Sequence, residues 1–207
     1  MNSSIAPADE NPYRAPEAAV ADMEQASAQQ QLFYVVAKPK FLALFIGTMG
    51  IYVIYWFYKN WALLNRKHRA YWPVARGIFS IFFAHSLFGE IDKTLRRKQT
   101  TRTFSWSPGT LATGYVIFSI LMNLCDRLSM KNIGSPITDL LGFVLLIPIV
   151  LILLRAQQAI NLAEGDPEGK RNSRITLANV AWLIVGAVLW ILVLLGLYLT
   201  LKGDNSP

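Results

Sequence analysis

Between Phe41 and Tyr58 the chain reads FLALFIGTMGIYVIYWFY, eighteen residues without a charge, and this run constrains the fold more than any other feature. Water solvates such a stretch poorly, so it belongs in lipid or in a deep protein interior. As a helix it would cover roughly 27 Å, close to the thickness of a bilayer core. Further apolar segments recur at about 108–126, 136–154 and 175–201. The sequence therefore predicts an all-α, polytopic helical membrane protein with four spans over these segments, inside a helical membrane domain at 32–202.

Charge placement narrows the reading. Only 16% of residues are charged, against about 25% in soluble domains. The net charge is +7, and ten of the twenty Lys and Arg lie between Lys59 and Arg102. Basic clusters beside a span set topology and meet anionic headgroups, which points to lipid rather than to nucleic acid. Arg66, Lys67 and Arg69 in one cluster, and Arg96, Arg97 and Lys98 in the next, are the candidate contacts for anionic lipid or a partner protein.

Residues 1–31 hold Pro7, Pro12 and Pro16 with five acids against one base, Arg14, and read as a disordered acidic tail. They lack the basic-then-apolar pattern of a cleaved signal, so the span at 41–58 is expected to act as its own targeting signal. Residues 203–207 form a second short tail. The lone Cys125 allows no intrachain disulfide and reads as a small buried side chain.

Aromatic residues follow the first span. Tyr55, Trp56, Tyr58 and Trp61, with Trp72 further on, are expected to be interfacial anchors. The apolar stretch GIFSIFFAHSLFGEI at 77–91 has fifteen residues, short for a crossing, and reads as a re-entrant or interfacial helix. If it crosses instead, the protein has five spans. With four spans and the tail outside, fourteen bases are cytoplasmic and six are outside; with five and the tail inside, the balance is twelve to eight. The first fits the positive-inside rule better. In both, the loop at 155–174 is cytoplasmic.

Tyr115, Ser119 and Asn123 recur every four residues and share one helix face. Side chains of this kind hydrogen-bond neighbouring helices in lipid, and a substrate path would use the same groups. His85 is an ionisable residue inside the short apolar segment, and Asp92 and Arg96 form an i,i+4 pair nearby. Gln157, Gln158, Asn161, Asn172 and Asn179 bracket the last cytoplasmic loop and suit helix caps or a polar contact surface. No nucleotide loop, nucleophile elbow or metal-ligand spacing is present, so neither a cofactor nor an enzyme is expected.

The tail NPYRAPEA, the run KFLALFIGTMGIYVIYWFYKNW and the stretch PVARGIFSIFFAHSLF together resemble a group of small bacterial inner-membrane proteins of unassigned chemistry. The motifs INLAEGDP and NSRITLAN extend the resemblance to the last two spans. It implies a multi-pass location in a bacterial inner membrane and carries over no functional residue. Some relatives carry permease-like labels, but a major-facilitator transporter has two six-span halves and this chain has at most five spans. The expected role is a non-catalytic accessory or scaffold in contact with the bilayer, with a second copy or another membrane protein as its protein partner. The alternative is a small oligomeric transporter or channel subunit.

Overall fold

The computed structural model describes residues 31–68, 70–98 and 104–203. The acidic tail before Gln31, Arg69, the residues after Gly203 and the side chains of Lys67 and His68 lie outside that description. Among the described residues the secondary structure is helical. It comprises α1 (Lys38–Gly47), α2 (Tyr52–His68), α3 (Pro73–Ile78), α4 (Ser80–Arg97), α5 (Pro108–Ser129), α6 (Ile137–Ala163) and α7 (Leu177–Gly203). Three helices are long and apolar enough to cross a membrane: Pro108–Ser129, Ile137–Ala163 and Leu177–Leu199.

The run at 41–58 is not a single helix. α1 stops at Gly47, and the chain turns through Met49 and Gly50, whose φ angles of 52° and 84° are left-handed. Glycine takes that conformation without steric cost, which is why Gly50 can end one helix and start the next. Thr48 stitches the turn: its hydroxyl donates to the Leu44 carbonyl at 2.7 Å and accepts from the Tyr52 N–H at 3.0 Å. α2 then runs back along α1. Phe41 meets Tyr52 and Trp56 edge-on, with ring centroids 5.6 and 6.2 Å apart. The expected first span is therefore two half-length antiparallel helices.

A second reversal follows. Pro73 opens α3, which packs antiparallel on α2, so that Gly77 sits against the backbone of Ile54 and Tyr58. The helix breaks at Phe79, and α4 returns with Ser80 near its inner end. The short apolar segment at 77–91 is thus divided between two helices of a second hairpin.

Both hairpins pack against α5 and α6, and α1 also rests on α7. The core between them contains Phe41, Phe45, Trp56, Phe57, Trp61, Leu87, Phe88, Ile91 and Leu153, all at most 2% exposed. Trp56 and Trp61 are therefore packing residues, contrary to the expected interfacial role. Among the other expected anchors, Tyr58 is half-buried, Tyr55 is 41% exposed and Trp72 is 82% exposed. Gly47 and Gly186 let α1 and α7 touch backbone to backbone, where any side chain would intrude. Trp190 secures the same crossing by donating to the Ile46 carbonyl at 2.8 Å.

Candidate functional site

The basic end of the molecule is organised around a non-helical strap, residues 32–37, that precedes α1. A segment outside helix and sheet that is packed among helices has no regular partner for its backbone groups, and leaving them bare would be costly. Side chains fill that role here. Glu164 Oε1 accepts from the Leu32 and Phe33 N–H groups at 3.0 and 2.9 Å. Asn60 Oδ1 accepts from Tyr34 N–H at 2.9 Å. Gln157 Nε2 donates to the Tyr34 carbonyl, and Asn172 Nδ2 to that of Val35. Asn161 holds Val36 at both ends, accepting from its N–H at 3.3 Å and donating to its carbonyl at 2.9 Å.

These clamps form one network. Trp56 Nε1 donates to Gln157 Oε1 at 2.6 Å, and Gln157 Nε2 also donates to Asn161 Oδ1 at 2.7 Å. The buried Lys40 ammonium donates to Asn172 Oδ1 at 2.6 Å and to the Arg174 carbonyl at 2.7 Å. In the loop after α6, burial alone would raise the Asp166 carboxyl. The Arg171 and Lys170 N–H groups and the Arg171 guanidinium instead hold it below the usual range.

Because both hairpins return to this end, their flanking segments gather beside the strap. By backbone position, fourteen of the seventeen Lys and Arg among the described residues lie here, and only Arg127, Lys131 and Lys202 lie at the opposite end. Arg66, Arg96 and Arg97 are exposed. Arg96 also pairs with Asp92 at 2.7 Å, as their spacing predicts. Lys98 is exposed too, but its ammonium donates to the Ala163 carbonyl and so caps α6. Arg76 lies over Trp61, Tyr71 and Phe83, 4.1, 4.3 and 4.8 Å from their ring centroids. The aromatic cluster thus holds the protein's own cation.

A cavity of about 280 Å³ lies between the hairpin turns and the middle of α5 and α6. Phe45, Gly50, Phe79, Leu146 and Ile149 line it, together with Ser80, Tyr115, Ser119 and Asn123. The three α5 residues grouped by their spacing therefore do face one space. Ser80, which the spacing did not flag, completes the polar lining, with its hydroxyl 2.7 Å from that of Tyr115. Asn123 donates back to the Ser119 carbonyl at 2.8 Å. His85 does not belong to this lining. It is exposed on α4, with Nε2 3.0 Å from the Thr113 hydroxyl.

No family model, no curated protein and no solved structure matches this chain. Among the described residues no cluster of His, Cys, Asp or Glu could hold a metal ion. The clamping amides are the functional residues least visible in advance. Their recurrence around the 155–174 loop was the signal, but their target, the strap backbone, carries no motif.

Proposed function

We propose that the chain is a multi-pass protein of a bacterial inner membrane, with α5, α6 and α7 crossing and the α1–α2 and α3–α4 hairpins entering one leaflet and returning. The ten residues of α1 reach about 15 Å, half of a ~30 Å hydrocarbon core. The exposed Ile51, Ile54, Ile78, Phe79 and Phe82 around the two turns suit acyl chains rather than water. The positive-inside rule then favours a cytoplasmic location for the basic end.

Its role in this reading is non-catalytic: a membrane-embedded accessory or scaffold whose basic face binds anionic lipid headgroups. The observation that carries it is the gathering of the basic segments at one end. Resemblance to small bacterial inner-membrane proteins agrees with this reading and supplies no chemistry. The test is the preference of spin-labelled phosphatidylglycerol over phosphatidylcholine for the protein surface. Replacing Arg66, Arg96 and Arg97 with Gln should reduce that preference, and salt should weaken it in the parent protein. An unchanged, salt-insensitive preference overturns the reading.

The cavity favours a second reading, a small oligomeric transporter. Ser80, Tyr115, Ser119 and Asn123 would then form part of a solute path, and Asn123→Leu should abolish flux without preventing insertion. Wild-type protein that moves no solute in liposomes counts against it.

A further inference from the structure

We infer that the helical unit described from Leu32 to Gly203 acts as a wedge in the bilayer, and that its preferred partner is an anionic membrane surface that is convex on the basic side. The inference rests on the three-span, two-hairpin reading above. Among the described residues, seven helices occupy the basic half of the unit: α1 to α4, together with the near halves of α5, α6 and α7. Beyond the hairpin turns at Thr48–Ile51 and Phe79, α5, α6 and α7 alone continue among the described residues.

The levels of the turns fix where the cross-section changes. Gly50 and Phe79 line the same cavity as Tyr115 and Ser119, which are seven and eleven residues into the 22-residue α5. Leu146 and Ile149, near the middle of α6, line it too. The hairpins therefore end near mid-bilayer. With a helix diameter of about 10 Å, four additional helices displace roughly 300 Å² more lipid in one leaflet than in the other. A bilayer accommodates that imbalance by expanding the wider side, so a surface already convex on that side costs less to occupy. Curvature dependence of this kind is known for helices inserted into a single leaflet.

Two features make the wedge rigid rather than adaptable. Trp56, Phe57 and Phe88, buried where the hairpins pack on α5 and α6, are fully enclosed. The strap ties the start of α1 to Gln157, Asn161 and Asn172 at the same end. The hairpins therefore cannot splay to fill the opposite leaflet without breaking buried hydrogen bonds. The exposed Arg66, Arg96 and Arg97 stand on the wide side and attract anionic headgroups there.

The test uses the full chain with Cys125→Ser and a dye on Glu168→Cys, reconstituted in giant vesicles of phosphatidylethanolamine and phosphatidylglycerol. Narrow tubes are pulled from the vesicles, and a membrane-impermeant quencher identifies the molecules whose basic end faces outward. Outward-facing molecules should be several-fold denser in the tube than in the parent vesicle, inward-facing ones should be depleted, and both effects should persist at high salt. Equal densities overturn the wedge, and enrichment that salt abolishes shows charge acting without shape and overturns it as well. Cysteines at Lys38 and Arg66, labelled in the same vesicles, separate the two levels of failure. If they share the face of residue 168 while densities are equal, the wedge alone fails. If they lie on opposite faces, the two-hairpin reading fails and the wedge with it.

Discussion

The backbone N–H of Tyr34 donates to Oδ1 of Asn60 at 2.9 Å, although 26 residues separate them. In an uninterrupted helix that separation would be roughly 39 Å. The contact is therefore incompatible with a straight crossing between the two positions. Tyr34 also meets Tyr55 edge-on at 5.9 Å, so the return path is fixed at two points.

This reversal makes a prediction about sidedness. Single cysteines replacing the exposed Lys38, Arg66 and Glu168, in a Cys125→Ser background, should all react from the same face of sealed membranes. If 41–58 crosses, position 38 will be labelled from the face opposite 168. If both hairpins cross, position 66 will differ from the other two. Each arrangement thus has its own labelling pattern.

Asn161 serves both backbone groups of Val36 from a fully buried position. Asn161→Leu would strand a buried donor and a buried acceptor, at a cost of about 3 kcal/mol. Gln158→Leu is the control, because the side-chain partner of Gln158 among the described residues is the exposed Arg155. Thermal unfolding in detergent should show a large loss for the first variant and little for the second. Similar midpoints would mean that the strap is not held through Asn161.

Sequence pattern located the elements better than their directions. Ser107-Pro108 marks a helix start, and Pro108 is indeed the first residue of α5. Glycine is the usual left-handed cap at a helix end, and Gly165 has a φ of 72° after α6. At Ser135-Pro136 the helix begins one residue later, at Ile137. Hydropathy counts apolar residues and does not register a turn, so 41–58 reads as one span. The local sign of reversal is only Thr48 with Gly50, and Met49 adopts a left-handed φ that its side chain does not advertise. Trp56 and Trp61 look like anchors because an aromatic run at a span end usually is one. Once the helix folds back, the same residues face inward. The α5 face of Tyr115, Ser119 and Asn123 was legible because period four depends on one helix alone. Ser80 was not, because its partner comes from another hairpin.

Gly169 and Gly165 allow two effects to be separated. Both have left-handed φ, 71° and 72°. A methyl group on Gly169 would lie 2.6 Å from the backbone of Val36 and Ala37, whereas Gly165 has open space around it. Gly165→Ala should cost about 1 kcal/mol from backbone conformation alone. Gly169→Ala should cost roughly 3 kcal/mol, because it also pushes the strap off the loop. Equal losses in thermal unfolding would show that the loop–strap contact contributes nothing.

Glu164 ties strap stability to pH. Burial pushes its carboxyl above the usual range, and the Phe33 and Leu32 N–H groups, with Lys98 and Arg171, only partly offset this. The folded protein thus binds this proton more tightly than the unfolded chain does. The resulting stabilisation is complete below the unfolded value and is lost as pH rises through the raised folded value. Glu164→Gln keeps an oxygen to accept from the two N–H groups and cannot titrate. Its unfolding temperature should match the parent protein in acid, exceed it at neutral pH and lack this component of the pH dependence. Parallel curves for the two proteins across the weakly acidic range would show that the Glu164 proton is not linked to folding.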